Sequence, residues 1–158
     1  GVLDVMPNRT FEVPVLKRSR YQEIVKIRLN LEGRGAAEAA RKIEAKEIDR
    51  IEAINEELAE RIRAGDYAEA LKCNADFHFA IYHAAGMPLL TSMIDSLWML
   101  TGPARSLLTP KYQLTLEGYE NHKRIIAALR KRDARLARKA QQEDLQAGAN
   151  FLMSVLED

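Results

Sequence analysis

From Ser19 to the end of the chain, apolar side chains return every three or four residues, interrupted only by short polar breaks. That period puts them on one face of an α-helix, so the chain has to bury a series of helical stripes against one another. Ser19 reads as an N-cap, and Tyr21, Ile24, Ile27 and Leu31 form the first stripe. Gly33 and Gly35 predict a kink before the helix continues over 36–43. A second helix is expected over 46–63, with Ile48, Ile51, Leu58, Ile62 and either Ile54 or Asn55 inward. Ala64-Gly65-Asp66 ends it and caps a third, over about 67–85, which stops at Gly86 and Pro88. The next runs over 89–100, breaks at Thr101-Gly102-Pro103 and resumes to Leu108. After Thr109-Pro110 comes 114–130, with Tyr119, His122, Ile125, Ile126 and Leu129 on one face. Asp133 caps a last helix whose inner face is Leu136, Ala140, Asp144, Ala147 and Phe151. The pattern predicts an all-α, antiparallel bundle of six or seven helices.

Residues 1–16 follow a different rule. Val2 to Met6 and Thr10 to Val13 read as two short strands around the turn Pro7-Asn8-Arg9. A lone hairpin is unstable, so this segment is expected to be the remnant of another domain, with 17–158 as the helical one. The chain opens on Gly1 rather than Met, as a processed or truncated piece would. Its 158 residues suffice for one sizeable core. With 24 basic and 23 acidic residues, the net charge of +1 gives no broad attraction to nucleic acid or to an anionic membrane. Cys73 is the single cysteine, which excludes an internal disulfide and suits the cytoplasm. No signal peptide and no bilayer-spanning apolar run is present, so no membrane partner is expected.

Four polar side chains fall on apolar stripes: Asn74, His78, His122 and Asp144. Asn74 and His78 lie one turn apart on one helix face, and two later helices supply the others. A buried amide or imidazole is costly unless satisfied. Imidazole nitrogen with amide or carboxylate oxygen suits Zn, Ni, Mn or Fe, and helix bundles build metal sites from facing helices in this way. The alternative is a core histidine that is merely hydrogen-bonded, with His122 and Asp144 as a buried pair. Arg28 is the other candidate, because a guanidinium captures a carboxylate in bidentate fashion. Its plainer role is an intrahelical pair with Glu32. Asp76 and His83 are expected at the surface, and Met93, Trp98, Met99 and Leu100 in the core or on a dimer surface.

Taken together, these residues resemble the GntR superfamily of bacterial transcription regulators, in its FadR-type branch with the FCD effector-binding domain. Residues 2–13 look like the wing of that family's winged helix. Arg28-Leu29-Asn30-Leu31-Glu32 resembles its R-x-x-L-E. Asn74, Phe77 and His78, then Ala84-Ala85-Gly86-Met87-Pro88, resemble its D/N-x-x-F-H and A-[AS]-G-N-P, with Met87 in place of the usual Asn. His122, Ile125, Ala128 and Leu129, followed by Asp133, resemble its H-x-x-I-x-x-A-[IL] and D.

The resemblance implies a non-enzymatic homodimer that binds operator DNA through N-terminal winged helices and senses a small carboxylate in the helical domain. The recognition helices lie outside this sequence. In the family's metal-binding members an Asp or Asn, a His four residues on, and two later His hold the ion. These positions fall on Asn74, His78, His122 and Asp144, the last an Asp where the family has His. Aspartate ligates the same metals but adds negative charge, which weakens attraction for an anionic effector. The resemblance assigns Arg28 to the effector carboxylate. A metal-free sensor using Arg28 alone is the first alternative, and a metal-dependent helical-bundle enzyme is the second.

Overall fold

The computed structural model describes residues 4–5, 11–12, 16–105, 107 and 110–156. In chain order its helices are α1 (Arg18–Lys42), α2 (Ala45–Arg63), α3 (Tyr67–Ala84), α4 (Pro88–Arg105), α5 (Pro110–Gln113), α6 (Glu117–Arg130) and α7 (Ala134–Val155). Because α5 is a single turn of 4 residues, six helices build the bundle among the described residues, and the upper expectation of seven is not reached. Two-residue strands β1 (Asp4–Val5) and β2 (Phe11–Glu12) pair antiparallel, Asp4 opposite Glu12 and Val5 opposite Phe11. Two such pairs do not amount to the expected hairpin, whose remaining residues lie outside the described ones.

The helix boundaries follow local chemistry where a cap decides them. Asp66 accepts from the Glu69 amide to start α3, and Asp133 accepts from the Arg135 and Leu136 amides to start α7. Gly86, at φ 62°, takes the left-handed turn that ends α3. Elsewhere tertiary packing overrides the sequence signals. The cap of α1 is Lys17, so Ser19 lies inside the helix. Helix α1 runs unbroken past both glycines. They serve close packing. A Cβ on Gly33 would meet Arg138 and Gln142 at 3.1 Å, and one on Gly35 would meet Tyr82 Cδ1 at 3.1 Å. Likewise α4 continues through Thr101-Gly102-Pro103. Pro103 sits in its last turn, where a missing N–H removes one bond rather than interrupting a long ladder. Helix α6 starts only at Glu117, because Leu116 adopts the left-handed conformation at φ 56°.

The main core joins Ile43 of the α1–α2 link, Ile51, Phe77, Ile81, Ile94, Ile125 and Leu129. A second cluster gathers Tyr21, Val25, Ala104, Ala149 and Leu152 from α1, α4 and α7. A polar cavity is lined by residues of both: Trp98 from the first, and Tyr21, Ala149 and Leu152 from the second. Apolar packing on both sides holds the functional candidates in place. No helix among the described residues is long and apolar enough to cross a membrane.

Candidate functional site

Helices α3, α6 and α7 converge on this cavity. One ligand-type atom each from His78, His122 and Asp144 lies within 4.8 Å of the others. His78 Nε2 is 3.2 Å from Asp144 Oδ2, and His122 Nε2 is 3.8 Å from Asp144 Oδ1. Both histidines are buried, and the Asp144 side chain is 11% exposed. Asn74, one turn before His78, lines the same cavity, as do Arg28 and Glu32. The cavity volume is about 90 Å³. The three titratable candidates are therefore brought together, and the amide and the guanidinium share their space. Asp76 and His83 are exposed, as expected.

The hydrogen-bond chemistry sets the state of His122. Asn55 Nδ2 donates to the Tyr119 carbonyl at 3.2 Å, which leaves Asn55 Oδ1 2.8 Å from His122 Nδ1. An amide oxygen only accepts, so Nδ1 carries the proton and Nε2 keeps a lone pair. That Nε2 is buried and has no hydrogen-bond partner. It lies 3.8 Å from an Asp144 carboxylate oxygen that is also an acceptor, so two lone pairs face each other. A cation completes such an arrangement, and a ligating histidine is ordinarily oriented through its other nitrogen in this way. Phe77 stacks on the His122 ring at 3.8 Å with the planes 5° apart, which fixes its tilt.

Gln141 meets His78 with the opposite end of its amide to the one Asn55 turns to His122. Its Nε2 is 3.2 Å from His78 Nδ1, while its Oε1 is buried without a partner. In this state His78 Nε2–H donates to Asp144. Rotating the amide by half a turn would satisfy Oε1 with an Nδ1 proton and leave His78 Nε2 as a second lone pair. The donor set fits a divalent ion of the Zn, Ni or Mn class: two imidazoles and one carboxylate, with the Asn74 amide lining the same cavity.

Burial pushes the His122 imidazole down to about 3, against the opposing pull of Asp144. Burial raises the Asp144 carboxyl, but His122 together with hydrogen bonds from His78 and Asn121 holds it below its ordinary value. Neutral imidazole and ionised carboxylate are the forms that bind metal. The same shift makes the metal-free domain acid-sensitive. An unfolded chain takes up a proton at this histidine below pH 6.5, whereas the folded one resists until about 3. The contribution is complete above the unfolded value and is lost as pH falls toward the folded one, at about 1.4 kcal/mol per pH unit. Urea midpoints measured from pH 7 to 4 are expected to fall more steeply for the wild type than for His122→Phe.

The far wall is organised by Glu32. Its Oε1 accepts from Arg28 Nε at 2.6 Å and from Trp98 Nε1 at 2.9 Å, and its Oε2 accepts from the Tyr82 hydroxyl at 2.5 Å. All four residues are buried. Burial lowers the guanidinium of Arg28, but Glu32 more than offsets this and the group sits above its ordinary value. Burial and then Glu32 push the Tyr82 phenol well up. Thus Arg28 makes the intrahelical pair and lines the cavity as well. Sequence reasoning left Asn55 undecided and passed over Gln141, Tyr82 and Arg105. For Asn55 the signal was available, a polar residue on the stripe of Ile51, Leu58 and Ile62. Gln141 gave none, because it lies one position off the expected stripe.

The FCD domain family matches residues 23–147. The HTH-type transcriptional regulator McbR of Escherichia coli K12 is 30% identical over 135 residues, 84% of this chain. The chain spans 61% of the length of that relative. The solved structure of E. coli McbR/YncC agrees with a TM-score of 0.91 at 30% identity, covering 97% of this chain and 77% of the other. Streptococcus agalactiae GntR, at 19% identity, shares the fold with a TM-score of 0.67 over 94% of this chain and 74% of its own. The likeness is to transcription regulators and not to enzymes. On a family match that covers most of its length, this chain belongs to the FCD domain family of GntR-type regulators.

Proposed function

We propose that residues 17–158 are the effector-sensing and dimerising domain of a transcription regulator, and that residues 1–16 are the end of a winged-helix wing. In this reading Asn74, His78, His122 and Asp144 hold a divalent metal, and Arg28 contacts the carboxylate of a small metabolite. When bound, the ion supplies a Lewis-acidic hold on a carboxylate oxygen. The chain's own part is to keep His122 Nε2 unprotonated through Asn55, to present Asp144 ionised, and to aim Arg28 through Glu32. The observation that carries the reading is the buried, unpartnered Nε2 of His122 facing a carboxylate oxygen. Dimerisation is supported by the apolar outer face of α4, where Leu89 is 76% and Met93 51% exposed. The effector favours one arrangement of the dimer, and operator affinity of the cytoplasmic winged helices follows by linkage.

Elemental analysis of the purified chain, followed by thermal-shift titration of small organic acids with and without Zn, Ni or Mn, tests this. The expected result is bound metal and a carboxylate that stabilises only when metal is present. A carboxylate that binds equally well after chelation would replace this reading with the metal-free sensor, for which the existing His78–Asp144 contact of 3.2 Å is the supporting observation. No metal and no carboxylate response would remove both.

A further inference from the structure

Arg105, in the last turn of α4, also lines the cavity. Its guanidinium carbon lies 4.4 Å from the centroid of the Trp98 ring, and that of Arg28 lies 4.9 Å from the same ring. Two guanidiniums therefore crowd one indole. The carboxylate nearest to both, Glu32, already takes bonds from Arg28, Tyr82 and Trp98. Among the described residues no carboxylate pairs with Arg105, and its Nε is buried without a hydrogen-bond partner. Burial and then repulsion from Arg28 hold it below its ordinary value. A partly buried cation in this position is stabilised when an anion joins it.

The charges lining the cavity can be counted among the described residues. Arg28 and Arg105 are positive, and Glu32 and Asp144 are negative. A divalent ion on the histidines would leave two positive charges unmatched. A monocarboxylate would neutralise one of them, and a dicarboxylate both.

We infer that Arg105 is a second anion-binding arm of this cavity, and that the effector is a compact dicarboxylate held by Arg28 and the metal at one end and by Arg105 at the other. This deepens the carboxylate-sensing reading above and rests on it. A cavity of about 90 Å³ selects a short ligand over a long one. Arg105 thereby becomes a specificity-determining residue, and Trp98 the surface against which both guanidiniums lie.

Succinate and butyrate test the idea, because they share a four-carbon chain and differ by one carboxylate. Each is titrated by calorimetry into the zinc-loaded chain, as wild type, Arg105→Gln and Arg105→Lys. The wild type is expected to prefer succinate. Arg105→Gln should weaken succinate by roughly 10- to 100-fold, the worth of a charged hydrogen bond, while leaving butyrate within about twofold. Arg105→Lys should recover part of the loss, because charge is kept and the fork is not. Unchanged butyrate binding also reports that the variant is folded. Equal weakening of both acids, or of neither, would overturn the role given to Arg105 and leave carboxylate sensing intact. A wild type that does not distinguish the two acids would overturn the dicarboxylate assignment in the same way. A wild type that binds neither would overturn it together with the sensing reading.

Discussion

Glu32→Ala is expected to destabilise this domain by about 3–5 kcal/mol, the range found when one partner of a buried ion pair is removed. The reason is the number of donors that converge on one carboxylate. Arg28 would be left buried and charged, and the Tyr82 hydroxyl and Trp98 indole N–H would lose their acceptor. Each stranded group adds its own desolvation cost. Urea denaturation followed by far-UV circular dichroism measures the loss. Arg28→Met combined with Glu32→Leu should recover the share that comes from the unpaired guanidinium, since apolar replacement of both partners of a buried pair is often close to neutral, while the Tyr82 and Trp98 donors stay without an acceptor. The double variant would keep the fold and lose the guanidinium facing the cavity, which separates the structural role of the pair from its role in sensing. A loss below about 1 kcal/mol for Glu32→Ala would mean that Glu32 does not organise this wall.

The second large effect concerns the metal. At a hundredfold excess over its Kd, a ligand that binds only the folded state adds about 2.7 kcal/mol, or roughly 5–10 °C in Tm for a chain of this size. His122→Phe is expected to abolish that increment for Zn. Phenylalanine keeps a ring that can stack on Phe77 and is only modestly larger than imidazole, so the bundle should remain folded. It leaves Asn55 Oδ1 without its donor, at a cost of about 1–3 kcal/mol in the metal-free protein. The informative quantity is thus the difference between metal-loaded and metal-free Tm for each variant. If His122→Phe still gained the full increment, His78 and Asp144 would be sufficient ligands, and the lone pair on His122 would have no part in binding.

The candidate site was legible in residue types more than in their arrangement. Asn74, His78, His122 and Asp144 stand out because each interrupts an apolar stripe, and three of them do meet within 4.8 Å. Arg28 and Glu32 were visible as an i, i+4 pair, but the pair gave no hint that Tyr82 and Trp98, 50 and 66 residues beyond Glu32, also bond to it. The glycines of α1 have a role that is not local either. A glycine signals either a bend or a close approach, and only the positions of Arg138, Gln142 and Tyr82 decide between the two.

What the chain's own order of residues determined is the helical period, the Asp66 and Asp133 caps, the stop at Gly86, and the presence of nitrogen and oxygen donors on inner faces. These depend on neighbours within a turn or two, so the local pattern suffices. Tertiary structure alone decided which nitrogen of His122 carries its proton. That choice runs from the Tyr119 carbonyl through Asn55 to a ring 67 residues away from that asparagine, and no local periodicity records it. The same holds for Arg105, whose lack of a carboxylate partner among the described residues became visible only once α4 and α1 were packed together around Trp98.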